Sequence, residues 1–76
     1  MVKAYEKYLL SFLKKKRILL NEKTDLFSSN NIDSFGFIEL LVNAEKKYKM
    51  KLKHEFIFSK KKFTISELAL MIEKYG

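Results

Sequence analysis

Seven of the ten residues from Phe35 to Ala44, in the run FGFIELLVNA, are apolar. On a helix they leave only a narrow polar stripe of Gly36, Glu39 and Asn43, continued by Lys46 and Lys47. A helix that is apolar over most of its circumference needs several neighbours to cover it. The segment therefore predicts a central helix from about Ser34 to Tyr48, and the rest of the chain must supply its cover.

Two flanking segments can do so. Val2, Tyr5, Leu9, Phe12 and Leu13 recur at spacings of three and four, which predicts a first helix over roughly residues 2 to 17. The run Lys14 to Arg17 closes it, with cations where the helix dipole favours them. Near the other end, TISE (Thr64 to Glu67) reads as a capping box, with Thr64 as N-cap and Glu67 reaching back. Phe63 and Leu68 stand at the two positions of a hydrophobic staple. Ile65, Leu68, Ala69 and Ile72 then form the buried stripe of a last helix, with Gly76 after its end.

The connections are unequal. Residues 18 to 33 read as a long loop with Ile18, Leu19, Leu26 and Phe27 plugged into the core. Asn21, Ser28, Ser29, Asn30 and Asn31 supply its turn chemistry. Residues 49 to 62 are basic, interrupted by Phe56, Ile57 and Phe58, and predict one short helical turn. The expected architecture is all-α: a small four-helix bundle of three main helices plus one short helix, with residues 1 to 76 as a single domain.

Composition narrows the function. The chain has 76 residues and no Pro, and it has no Cys, which removes disulfides and thiolate metal sites. His54 is the single histidine, too few for a zinc site. The first twenty residues do not read as a secretory signal, because Lys3, Glu6 and Lys7 break the apolar run. No stretch has the length of a membrane span. The expected location is cytoplasmic. The net charge of +7 favours acidic partners, nucleic acid or an anionic membrane.

The junction at Asp33 and Ser34 carries the most chemical information. Either residue suits a helix start, because its side-chain oxygen can satisfy free backbone N–H groups. The serine also follows a long polar loop, so its hydroxyl is expected to be accessible. A helix N-terminus favours a phosphate beside that hydroxyl.

Residues 25 to 52, DLFSSNNIDSFGFIELLVNAEKKYKMKL, resemble the acyl carrier and peptidyl carrier protein family. The family motif, Asp-Ser-Leu or a close variant at the start of the second helix, corresponds to Asp33-Ser34-Phe35. The Glu-Leu pair five residues after the serine corresponds to Glu39-Leu40. DLF before the loop and the capped TISELALMI helix fit the same plan, so the resemblance extends over nearly the whole chain.

The resemblance implies that Ser34 carries a 4′-phosphopantetheine arm, installed from coenzyme A by a phosphopantetheinyl transferase. It implies that Asp33 helps orient the metal during that transfer. It implies a monomeric carrier, not an enzyme, that holds an acyl or aminoacyl thioester. A loading ligase and downstream acyl-processing enzymes would be its partners. Such partners dock on the second helix, which nominates Phe35, Ile38, Glu39, Val42 and Glu45. The chain departs from the family in being basic, with Lys46 and Lys47 where acids are usual and Phe35 in place of Leu. The departure points away from housekeeping fatty-acid synthesis and towards stand-alone carriers of aminoacyl or specialised acyl groups, such as D-alanyl carriers.

The competing reading is a small basic helical module that binds nucleic acid or anionic lipid through Lys14 to Arg17 and Lys60 to Lys62. Neither run has interleaved aromatics, no RNA-binding signature is present, and no nucleic-acid partner is expected. A Ser34-based catalytic triad has no readable His/Asp pairing.

Overall fold

The computed structural model describes residues 2 to 27 and 32 to 75. Four helices follow one another: α1 (Val2–Lys15), α2 (Ser34–Tyr48), α3 (His54–Phe58) and α4 (Ile65–Tyr75). Among the described residues the regular structure is entirely helical, so the chain is a small all-α bundle with three main helices and one short one. The turn residues Ser28, Ser29, Asn30 and Asn31, and Gly76, lie outside the described residues.

The helix ends follow local chemistry. α1 stops at Lys15, two residues before the expected end, because Arg17 turns left-handed at φ 64°. That turn lets the Ile18 N–H return to the Leu13 carbonyl at 2.9 Å. Lys49 closes α2 in the same way, at φ 52°. Thr64 Oγ1 accepts the Glu67 N–H at 3.2 Å, which is one arm of the capping box. The other arm differs from expectation, because the Glu67 carboxylate meets Lys60 Nζ at 3.3 Å.

All four helices and both long connections contribute to one core. Leu9 and Leu13 of α1, Phe37, Leu40, Leu41 and Ala44 of α2, Ile57 of α3, and Ile65, Leu68, Ala69 and Ile72 of α4 are buried in it. Fully burying one such aliphatic side chain stabilises by about 1.5–3 kcal/mol. α1 packs chiefly along α4. Tyr48 clasps α1 edge-on through Tyr5 and Tyr8, with ring centroids 4.9 and 5.7 Å away. Burial raises the Tyr48 pKa above the ordinary tyrosine value, with smaller contributions from Tyr8 and Tyr5.

The first connection is pinned as well as plugged. Asp25 Oδ1 accepts the N–H groups of Phe27 at 3.1 Å and Phe63 at 3.0 Å, and the Leu26 N–H donates to the Phe63 carbonyl. Leu26 is buried, and Ile18 and Phe27 pack partly against the core. Leu19 does not join them: it is 71% exposed, because the chain needs only alternate side chains to follow α1 back along the bundle.

Candidate functional site

Asp33 and Ser34 have separate roles at the head of α2. Asp33 is the N-cap, in extended conformation, and its Oδ1 accepts the Gly36 N–H at 2.7 Å. Gly36 makes that cap fit, since a Cβ there would stand 3.2 Å from Asp33 Oδ1 and 3.4 Å from Ile32 Cγ1. Ser34 is the first helical residue, and it is exposed. Its hydroxyl makes no hydrogen bond to a described residue. The first backbone bond of the helix runs from the Phe37 N–H to the Asp33 carbonyl, and Asp33 Oδ1 takes the Gly36 N–H. Among the described residues nothing accepts from the N–H groups of Ser34 and Phe35, which stand at the positive end of the dipole.

The mount beneath the serine is rigid. Phe37, one turn in, is edge-on to Phe27, Phe58 and Phe63 at centroid distances of 5.3, 5.4 and 5.9 Å. Leu26, Phe27, Ile32, Phe37 and Phe58 line a hollow of ≈ 320 Å³ that opens beside Asp33 and Ser34.

The cover expected around α2 is incomplete. Phe37, Leu40, Leu41 and Ala44 are buried, but Phe35 is 72% and Ile38 41% exposed, and Val42 is half-buried. A bundle whose third helix has five residues cannot enclose a helix on all sides. Phe35, Ile38 and Val42 are spaced at i, i+3 and i+7, so they form a stripe on one face. Ser34, four residues before Ile38, heads the same face.

The two candidate docking acids are already engaged. Glu39 is half-exposed rather than free, with Oε2 at 3.0 Å from Lys16 Nζ. Glu45 turns inward: its Oε2 accepts the Leu52 N–H at 2.7 Å and lies 3.2 Å from His54 Nε2. Glu45 thereby straps the connection between α2 and α3. Its geometry is structural, unlike the contact role that the family resemblance implies.

Sequence reasoning missed the tethers from Asp25 to Phe63 and from Glu45 to Leu52 and His54, because they join residues at separations that no local pattern marks. The glycine three residues after a capping Asp was a readable signal for the Asp33 cap. Among the described residues no three His, Asp or Glu side chains group to hold a metal ion. No helix among them is long and apolar enough to cross a membrane. No protein-family model matches the chain, and neither do curated proteins or solved structures.

Proposed function

We propose that the chain is a carrier domain of the acyl carrier type, with a 4′-phosphopantetheine arm on Ser34 that holds an acyl or aminoacyl group. The observation that carries this reading is the division of labour at the head of α2. Asp33 caps the helix, and the adjacent Ser34 hydroxyl is exposed, with no hydrogen bond to a described residue. The residues fit the group: the N–H groups of the first turn would favour a phosphodiester on Ser34 Oγ, and the hollow lined by Leu26, Phe27, Ile32, Phe37 and Phe58 would give the arm a surface to lie against. The arm, once attached, contributes a terminal thiol that carries the cargo as a thioester, a sulfur that this cysteine-free chain lacks.

The chain's own residues supply mount and address. Packing of Phe37 among three other phenylalanines fixes the direction of the first turn, and with it the Ser34 hydroxyl. Asp33, whose Oδ1 is held by the Gly36 N–H, is the residue next to Ser34, and its carboxylate would help orient the metal that a transferase brings. Phe35, Ile38 and Val42 form the apolar face that a partner enzyme covers. Lys16 and Glu39 lie at the edge of that face.

The test is intact mass after incubation with coenzyme A and a broad-specificity phosphopantetheinyl transferase. The wild type is expected to gain one arm and Ser34→Ala none. A wild type that stays unmodified where a control carrier is converted overturns the reading. Tight binding of duplex DNA at physiological salt, weakened by neutralising Lys60, Lys61 and Lys62, would then favour the nucleic-acid alternative.

A further inference from the structure

We infer that the outward face of α1 is a surface that rests on a lipid bilayer carrying anionic headgroups. The inference does not depend on the carrier reading.

The face combines one helical stripe with the chain that returns beside it. Lys3, Lys7, Leu10, Ser11 and Lys14 follow one another at spacings of three and four, so they share one side of α1. All of them except Leu10 are exposed. Leu9 and Leu13, on the other side of the helix, are fully buried. After the left-handed turn at Arg17 the chain runs back along the stripe. Leu10, Ile18, Leu19 and Leu20 then line a hollow of ≈ 240 Å³ together with Lys7 and Lys14. Leu19 is the most open of them, at 71% exposed. Leucine and lysine thus alternate over one surface.

Charge on this surface has one sign. The stripe holds no Asp or Glu, and neither does the lining of the hollow. Glu6, on the flank of α1, accepts the Ser66 hydroxyl at 2.9 Å, which turns it towards α4. Glu22 is half-buried, and its carbonyl accepts the Ser66 N–H. Lys15 and Arg17 are exposed at the end of the helix. Even with both acids counted against the face, five bases outweigh them. The basic run from Lys14 to Arg17 is therefore divided. Lys16 belongs to the pair with Glu39, while Lys14 and Lys15 face solvent.

Residue type selects a bilayer among anionic partners. Leucines between the lysines have no counterpart on a phosphodiester backbone, and the stripe has no aromatic on which a base could stack. Fixed carboxylates on a protein favour the planar fork of arginine, and the stripe has none. Lysine heads on long stems suit a fluid array of headgroups, with the leucines reaching the acyl boundary below. Tyr5 and Lys16, which meet α2, stand on the opposite side of α1. A chain resting on this face therefore keeps α2 on the far side of α1 from the lipid, with Ser34 in reach of solvent.

The test is sedimentation of the unmodified chain with vesicles of phosphatidylcholine, alone or mixed with phosphatidylglycerol. Binding is expected on the mixed vesicles at low salt and not on phosphatidylcholine alone, and it should weaken as salt rises. One lysine near an anionic surface contributes about fivefold in affinity. Lys7→Glu with Lys14→Glu should therefore lose at least about tenfold, with helical circular dichroism unchanged. Leu19→Ser, at an exposed site, should weaken binding by a few-fold without changing the charge. Lys61→Glu with Lys62→Glu makes the same change in net charge elsewhere and should stay within about threefold of wild type. Equal binding to the two kinds of vesicle overturns the inference. So does an equal loss in the two charge-reversed variants, which would assign binding to net charge and not to this face. Displacement from the vesicles by duplex DNA or a glutamate-rich peptide at matched negative charge also overturns it. No step involves Ser34, so a chain that is never modified can keep this surface, and a modified chain can lack it.

Discussion

Asp33 and Ser34 bring two adjacent oxygens to the start of α2, and only one of them holds the helix. Because Asp33 Oδ1 already takes the Gly36 N–H, removing the Ser34 hydroxyl should change stability by less than about 0.5 kcal/mol. Asp33→Ala removes the cap and should cost about 1 kcal/mol. Asp33→Asn separates cap from charge, since Asn caps as well as Asp but offers a metal no carboxylate. We expect Asp33→Asn to melt within about 0.5 kcal/mol of wild type. Phosphopantetheine transfer to it should slow by about 10–100-fold, the usual effect of losing a side chain that orients a metal. Unchanged transfer, measured by mass against time, would leave Asp33 as a cap and nothing more. The sequence placed both oxygens at this junction but did not divide the work between them. Ser and Asp are equally good caps, and only the backbone decides which is N-cap and which is the first helical residue.

At the scale of elements, α2 shows what a hydrophobic pattern can and cannot specify. Its position and its length were legible, because its apolar residues repeat at helical spacing between a polar loop and a basic segment. The extent of its cover was not, because that depends on how much surface α1, α3 and α4 have to give. The two sides of the helix should therefore respond differently to truncation. Leu41→Ala, at a fully buried site, should destabilise by roughly 2–5 kcal/mol. Phe35→Ala, at an exposed one, should stay within about 0.5 kcal/mol. Urea melts decide this, and a Phe35→Ala loss as large as that of Leu41→Ala would mean that the stripe is core. The long-range tethers were illegible for a different reason. Asp25 meets Phe63 and Glu45 meets His54 through side chains, across separations that carry no periodic signal. The tyrosine clasp between α1 and α2 makes its own prediction. Tyr48 has its pKa raised in the folded chain, so its contribution is complete below the unfolded value of about 10. That contribution is lost as pH rises through the folded value. Tyr48→Phe cannot ionise, so its melting temperature should fall less than that of wild type above pH ~10. Parallel alkaline limbs for the two proteins would contradict the assignment.

For the whole molecule, the sign of the salt response weighs ion pairs against net charge. The chain carries 16 Lys and Arg against 9 Asp and Glu. The described pairs Lys16–Glu39 and Lys60–Glu67 are partly exposed, and such pairs are worth about 0–1 kcal/mol each. Glu45 is less exposed and holds a backbone N–H, so salt screens it less. Seven excess positive charges on a domain of this size repel one another at separations that a Debye length of about 8 Å begins to screen at physiological ionic strength. Repulsion among many lysines should outweigh two weak pairs, so added salt should stabilise the fold. Raising NaCl from low to physiological ionic strength should lift the melting temperature by roughly 2–5 °C, since 1 kcal/mol corresponds to about 4–8 °C in a domain this small. Glu39→Lys removes one acid and adds one base, taking the net charge from +7 to +9, and it sets a lysine beside Lys16. This variant should be the less stable at low salt and should show the larger rise, its deficit shrinking as salt increases. A wild-type melting temperature that falls with salt would show that the ion pairs, not the excess charge, set the balance. In that case the lysines would act chiefly as structural partners of the acids.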